Sequence, residues 1–355
     1  MTPIRVSYAV GVHRIRGLSP AEFAFVMATG IISTALAADA ARYVSLALLA
    51  VAIAAYLMLC VIHLTRLACW PGEFLAELVS PRGFTFLTFV AASNVLSTRM
   101  TNAGVHWAGA VLLVIGFVAW LGLGYGVPLG LIAHARRDSV FDPVNGTWFL
   151  WVVGTQSVAV AAATLAHATA RPDLAALAAI CWAIGVVQWL LIASVEFARL
   201  LLRRLELADS VAPFWVFMGS AAISIVAGAK VSSAPAADQL LAPDFVRTLS
   251  MVLWGFATWL IPLLVGLMIW QRGRQGLALD YRTTWWAMVF PVGMYGVACR
   301  ELGLVTDQSW LVTTADWEAW VALAVWLIVL VALFVHERVL HRPDAPDRPA
   351  TTPLG

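Results

Sequence analysis

Apolar residues run through this chain in long stretches separated by short polar breaks. Ten stretches can be drawn, over residues 21–38, 44–64, 84–98, 105–132, 147–168, 174–199, 211–229, 245–270, 284–303 and 316–336. Roughly 20 apolar residues cross the hydrocarbon layer of a bilayer, so each stretch predicts a membrane-spanning helix. Barrel strands do not fit, because the runs are too long and lack polar-in, apolar-out alternation. The pattern therefore predicts an all-α integral membrane protein with ten transmembrane helices.

A second pattern lies on the first. Five times an aromatic residue opens a stretch that then thins into small and hydroxyl-bearing residues. Phe23, Met27, Ala28, Thr29, Gly30 and Ser33 match Phe214, Met218, Gly219, Ser220, Ala221 and Ser224 position for position. Looser copies start at Phe84 (Thr88, Ala91, Ala92, Ser93), Trp148 (Gly154, Thr155, Gln156, Ser157) and Trp286 (Phe290, Pro291, Gly293, Gly296). The recurrence falls on spans 1, 3, 5, 7 and 9, so the unit is a helical hairpin whose odd member carries the pattern, repeated around a centre. The even spans are more uniformly aliphatic, as over Val321 to Val335, and suit an outer wall facing the lipid bilayer.

Composition agrees with membrane residence: 61% of residues are hydrophobic and 12% charged. The polar stretch up to Ser19 precedes a full-length span, so no cleavable signal is expected. Sixteen basic residues fall on the side of the termini and six on the other, which predicts a plasma membrane protein with both termini cytoplasmic. The expected division is a cytoplasmic segment over 1–20, the transmembrane domain over 21–338 and a disordered tail over 339–355, with an interfacial element over Leu67 to Arg82. A net charge of +2 gives no case for nucleic acid. Cys60, Cys69, Cys181 and Cys299 form no C-x-x-C pair and read as packing residues, and no cofactor, metal or catalytic set is expected.

Ionisable residues within the spans are nearly absent by this reading; Glu22 and Glu196 sit near the cytoplasmic boundary, where pairing with a nearby Arg is expected. What remains is a ring of small and neutral polar groups on the odd helices: Thr29, Gly30, Ser33, Thr88, Ser93, Asn94, Gly154, Thr155, Gln156, Ser157, Gly219, Ser220, Ser224 and Gly293. Hydroxyl and amide groups replace part of an anion's hydration without trapping it, so these are candidate pore-lining residues; the competing reading is that they join helices. Positive helix ends at the inner mouth, and Arg42, Arg99, Arg171, Lys230 and Arg300 at the outer ends, fit small anions as the passenger. In span 9, Pro291 removes a backbone donor and can turn Phe290 toward the axis, where its ring would plug a pore; packing is again the alternative.

The run Trp285-Trp286-x-x-x-Phe290-Pro291-x-Gly293, the start Phe23-x-x-Val26-Met27-x-Thr29-Gly30 and the ten-helix hairpin plan resemble the tellurite-resistance/C4-dicarboxylate transporter family. That family includes fungal malate permeases, sulfite efflux proteins and plant slow-type anion channels. The resemblance implies a quasi-fivefold bundle with a central pore lined by the odd helices, assembled as a homotrimer with one pore per subunit. It implies Phe290 as the gate and C4-dicarboxylates such as malate or succinate, or small inorganic anions, as substrates. Passive permeation, a proton-coupled carrier, and a polytopic membrane enzyme or redox subunit remain distinct expectations.

Reporter fusions at Gly355 and in the loop near Ala236 should report opposite sides of the membrane. Finding both on one side would sink the ten-span topology.

Overall fold

Short breaks divide the described residues of a computed structural model, 15–37, 41–133, 145–203, 211–235, 238–275 and 283–340, into eleven α-helices. These are α1 (Phe23–Ala37), α2 (Arg42–Cys69), α3 (Pro71–Leu78), α4 (Leu87–Asn102), α5 (His106–Ala133), α6 (Phe149–Thr169), α7 (Pro172–Leu202), α8 (Trp215–Ser232), α9 (Pro243–Gln275), α10 (Trp286–Val305) and α11 (Ser309–Leu340). Among the described residues nine helices are long and apolar enough to cross a membrane, and α4 makes a tenth span if joined to α3, from which it bends by 108°. The chain is an all-α, multi-pass membrane protein. The expected interfacial element becomes the end of α2 and then α3, which buries no residue. Arg16 forks onto Glu73 of α3, Nε to Oε2 at 2.8 Å, and this bond holds the carboxyl below the usual carboxylate range.

The hairpins close into two concentric rings. Helices α1, α4, α6, α8 and α10 each touch the next and α10 returns to α1, so the inner ring has no gap. Each outer helix, α2, α5, α7, α9 and α11, packs against its own hairpin partner and also against a second inner helix. Four inner spans are 67% to 94% buried, whereas the five outer spans are 22% to 44% buried and present most of the large exposed apolar side chains to lipid. That division follows from the residues: inner helices carry the small and hydroxyl side chains that lipid disfavours, and outer helices carry the aliphatic ones.

Every inner helix is preceded by a 3-10 turn: Pro20–Glu22, Gly83–Phe86, Gly146–Trp148, Ala212–Phe214 and Thr283–Trp285. These five turns touch one another in a closed circuit, so all five inner helices start at one face and run parallel. Ser19 and Asn145 cap two of the turns. The Thr283 hydroxyl donates to Glu22 at 3.1 Å, and that of Thr88 donates to the Pro20 carbonyl at 2.8 Å, which ties the circuit together. Glu22, expected to pair with Arg, instead accepts this hydroxyl. Glu196 does lie against a cation, with Arg199 at 3.7 Å.

The seams between rings repeat one interaction. The aromatic residues Tyr56, Trp120, Trp182, Trp254 and Trp326 stand 62 to 72 residues apart, one on each outer helix. Tyr56 meets Ser93 at 2.8 Å, Trp120 donates to Thr155 at 2.9 Å and Trp326 to Thr29 at 3.0 Å, while Trp182 donates to the Ser224 carbonyl at 3.0 Å and Trp254 to the Cys299 sulfur at 3.3 Å. Thr29, Ser93 and Thr155 each also donate to the carbonyl four residues earlier, so both capacities of the hydroxyl are used.

Helical hydrogen bonding continues past the apolar runs, and this changes two readings. Helix α11 begins at Ser309 rather than near residue 316, so Asp316 and Glu318, at the edge of the apolar stretch, lie more than one turn inside the helix. The helix also continues to Leu340, into the expected tail; residues from His341 on lie outside the described ones.

Trp120→Phe and Thr155→Val should each cost about 0.5–1.5 kcal/mol, with the double variant costing less than the two together. Thermal unfolding of the detergent-purified protein measures this, and strict additivity would deny the seam bond its energetic role.

Candidate functional site

The inner ring surrounds a narrow axial cavity of about 30 Å³ to which all five inner helices contribute. Ile31 and Thr34 line it from α1, Asn94, Val95, Thr98 and Asn102 from α4, Ser157 and Val160 from α6, Ile223, Val226 and Lys230 from α8, and Met294, Val297 and Glu301 from α10. These positions recur at helical spacing, so each helix turns one stripe to the axis. A second, roomier space of about 250 Å³ opens beyond it, sharing Thr34, Asn102, Val297 and Glu301 and adding Arg99, Arg300 and Ala315. We call it the vestibule; it lies toward the C-terminal ends of the inner helices.

Of the candidate pore-lining residues, only Asn94 and Ser157 line this cavity, where the Asn94 amide donates to Ser157 at 3.1 Å. Thr29, Ser93 and Thr155 are in the seams, Thr88 is bonded to the 3-10 circuit, and Ser220 donates to the Phe217 carbonyl at 2.8 Å. Ser224 donates to the Ser220 carbonyl at 2.7 Å, and the Gln156 amide to that of Trp182 at 3.2 Å. Ser33 is bonded to Ser45 of α2. The glycines allow close approach between neighbouring inner helices: a Cβ at Gly30 would meet Val95 at 2.7 Å, at Gly154 Leu87 at 3.1 Å, at Gly219 Pro291 at 2.7 Å, and at Gly293 Ile31 at 3.1 Å.

Sequence reasoning missed Thr34, Thr98 and Asn102. Asn94, Thr98 and Asn102 are spaced by four along α4, a stripe that marks one helix face. Among the described residues the Thr98 hydroxyl is buried without a hydrogen-bond partner, and so is the Asn94 carbonyl oxygen, which lies against Gly116 of α5. Among the described residues no group of His, Cys, Asp and Glu is placed to hold a metal.

On the other side of the cavity the stripe of Met294, Val297 and Glu301 leads back, one turn earlier, to Phe290, which is 1% exposed. The equivalent step on the other four helices reaches Met27, Val90, Val153 and Gly219, all buried. This layer is filled, and Phe290 is its largest member. Helix α10 continues through Pro291, whose ring fills the space left at Gly219.

Charges gather at the vestibule end. Lys230 pairs with Glu301 at 2.9 Å, Arg300 with Asp316 at 2.5 Å and Arg171 with Asp173 at 2.7 Å, while Arg42 is exposed. Glu301, adjacent in sequence to Arg300, therefore serves Lys230 instead. The sequence reading of spans nearly free of ionisable groups is corrected by Glu318, whose carboxylate lies against Gly296 with both oxygens buried and without a hydrogen bond among the described residues.

A closed five-helix channel wall with a cavity on its axis is a device for passage rather than bond chemistry, and comparison with known proteins agrees. A model of the SLAC1 family, described as voltage-dependent anion channel, matches residues 17–334. The chain belongs to that family. It is 42% identical over 146 residues to an uncharacterized membrane protein of Mycobacterium tuberculosis, covering 41% of this chain and 74% of the relative. An uncharacterized transporter of Methanocaldococcus jannaschii is 24% identical, covering 89% of this chain and 92% of its own. A sulfite efflux pump of Arthroderma otae is 23% identical, with 91% of each chain covered. The protein is thus an anion transporter of the SLAC1 family and not an enzyme.

With Cys60, Cys69, Cys181 and Cys299 replaced, Thr98→Cys and Ser157→Cys should react with a small water-soluble thiol reagent at least about tenfold faster than Ser224→Cys or Thr29→Cys. Equal rates, read by mass spectrometry, would place the water path elsewhere.

Proposed function

We propose that this protein is a passive, channel-like pathway for small anions, closed by Phe290 and running from the 3-10 circuit through the axial cavity to the vestibule. The observation that carries the reading is the cavity shared by all five inner helices, which ends at a filled layer whose bulkiest residue is Phe290. A phenyl ring among small neighbours keeps such a layer dry, and a dry constriction bars a hydrated ion. The cavity wall is mostly apolar, with Thr34, Thr98, Asn94, Ser157 and Asn102 as its neutral polar groups, so an ion is solvated weakly enough to leave again.

Inorganic oxyanions and small carboxylates, C4-dicarboxylates among them, are the proposed passengers, and the relative named as a sulfite efflux pump supports the oxyanion part of that range. We place the protein in the plasma membrane with both termini cytoplasmic, on the basic-residue asymmetry, and as a homotrimer with one pore per subunit. A negative interior then drives anions outward by about 2.3 kcal/mol per charge per 100 mV.

Glu318 favours a second reading, a proton-coupled carrier, because a carboxylate buried beside an inner helix without a partner is a natural proton acceptor. Potential and pH gradients imposed separately on proteoliposomes divide the two. A passive pore follows the potential alone, whereas a coupled carrier accumulates anion on a pH gradient at zero potential.

Phe290→Ala should raise anion flux in those liposomes at least about tenfold, equal to lowering the barrier by about 1.4 kcal/mol, with the protein still folded. If Phe290 only packs, the same change costs about 3–5 kcal/mol of stability and opens nothing. A folded Phe290→Ala protein no more permeable than the parent overturns the gate.

A further inference from the structure

We propose that the vestibule contains a fixed binding site for a monovalent planar oxyanion, such as nitrate or a small monocarboxylate, built on Arg99. The proposal rests on the anion-transport reading and names what the pathway recognises before an ion enters the narrow cavity.

Arg99 is on the last turn of α4, is 6% exposed and lines the vestibule. A guanidinium stays protonated in any protein environment, so a full positive charge is held here. Among the described residues it has no carboxylate partner. Its Nε donates to the Ser33 hydroxyl at 3.1 Å and its Nη2 to the Ser45 hydroxyl at 3.0 Å. Those hydroxyls are themselves locked: Ser33 donates to the Ser45 carbonyl at 2.7 Å and Ser45 to the Ser33 carbonyl at 2.6 Å, which leaves their lone pairs for Arg99. The cradle fixes the guanidinium plane and neutralises none of its charge.

A buried charge without a counter-charge is costly unless something supplies one. The other charged groups on the vestibule wall do not: Glu301 is occupied by Lys230 and Arg300 by Asp316. Among the described residues that line the vestibule Arg99 is thus the cation outside any ion pair, and Glu318, whose carboxylate lies against the wall residue Gly296, makes no ion pair with it, so the site suits a monoanion better than a dianion. Geometry sharpens the class further. Two of the five N–H groups are engaged on the Nε–Nη2 edge, which leaves the Nη1–Nη2 edge, a fork that matches two coplanar oxygens better than a spherical halide. Thr98, the neighbouring residue, lines the adjoining cavity, where the ion would go next, and among the described residues its hydroxyl has no hydrogen-bond partner.

The test is binding of nitrate, measured as a rise in melting temperature of the detergent-purified protein at constant ionic strength, with chloride in parallel and gluconate as the balancing salt. Nitrate should stabilise the parent saturably and chloride weakly. Arg99→Lys keeps the charge but loses the fork, so its nitrate half-saturation should rise at least about tenfold with the chloride response kept. Arg42→Gln should bind nitrate as the parent does. A folded Arg99→Lys protein with unchanged nitrate affinity, or a parent that prefers chloride, overturns the site. Should Arg99→Lys fail to fold, the parent decides: saturating nitrate should slow modification of Arg99 by phenylglyoxal at least about fivefold, and no protection overturns the site. A parent that binds nitrate in this way but passes no anion would overturn the transport reading and leave the site standing, while flux without any nitrate effect would do the reverse.

Discussion

A hydroxyl on a membrane helix has no water to turn to, and the seam between the two rings is where this chain answers that constraint. On three inner helices the hydroxyl donates to its own helix one turn back and receives the N–H or O–H of an outer aromatic residue. On the other two the aromatic N–H finds a carbonyl or a sulfur. Each bond is worth only about 0.6 kcal/mol in a membrane. Together they set the height of every outer helix against the ring, which dispersion between aliphatic surfaces in lipid does not do. The closed ring then follows, because glycines at the inner contacts let the backbones meet before side chains intervene.

The same use of hydroxyls shapes the pathway. Groups that satisfy a seam cannot also solvate an ion, so half of the residues lining the axial cavity are Ile, Val and Met, and its neutral polar groups are Thr34, Ser157 and the α4 stripe of Asn94, Thr98 and Asn102. Five parallel helices also make the two ends electrically unlike, with positive ends at the 3-10 circuit and negative ends at the vestibule. The vestibule is lined from α1, α4 and α10 near their carbonyl ends, and the basic residues there offset them. Most of those cations are shared with carboxylates; Arg99 is held by neutral hydroxyls, and its field remains available.

The sequence made the architecture legible because apolar run length reports membrane crossing and the fivefold recurrence reports the hairpin unit. Depth was also legible: the hydroxyls do recur at one level. Direction was not, because a residue type at a given depth does not say whether it faces the axis or the neighbour, and here nearly all of the repeated set faces the neighbour. The partners that decide the matter, Trp120 for Thr155 or Tyr56 for Ser93, lie on the preceding outer helix 35 or 37 residues away, and their own recurrence is hidden among 17 tryptophans. The Arg99 cradle needed three helices in place before Ser33 and Ser45 could be seen to lock each other. Glu318 was passed over for a simpler reason: it falls at the edge of the stretch drawn over 316–336, and hydropathy marks where the chain is apolar and not where the helix begins.

Quasi-symmetry leaves one conspicuous exception, and it bears on how such a pathway would open. At the layer beneath the cavity four helices present Met27, Val90, Val153 and Gly219, and the fifth presents Phe290. A symmetric ring of five medium side chains would need all five helices to move apart together before water entered. In the proposed gate a single large ring among smaller neighbours would make closure depend on one side chain. Pro291 strengthens the contrast, because it denies the Ala287 carbonyl its intrahelical donor while filling the space at Gly219, so the α8 and α10 backbones meet where neither can approach further. With the backbone held by that contact and by the seams, the proposed gate would open by rotation of the Phe290 ring itself.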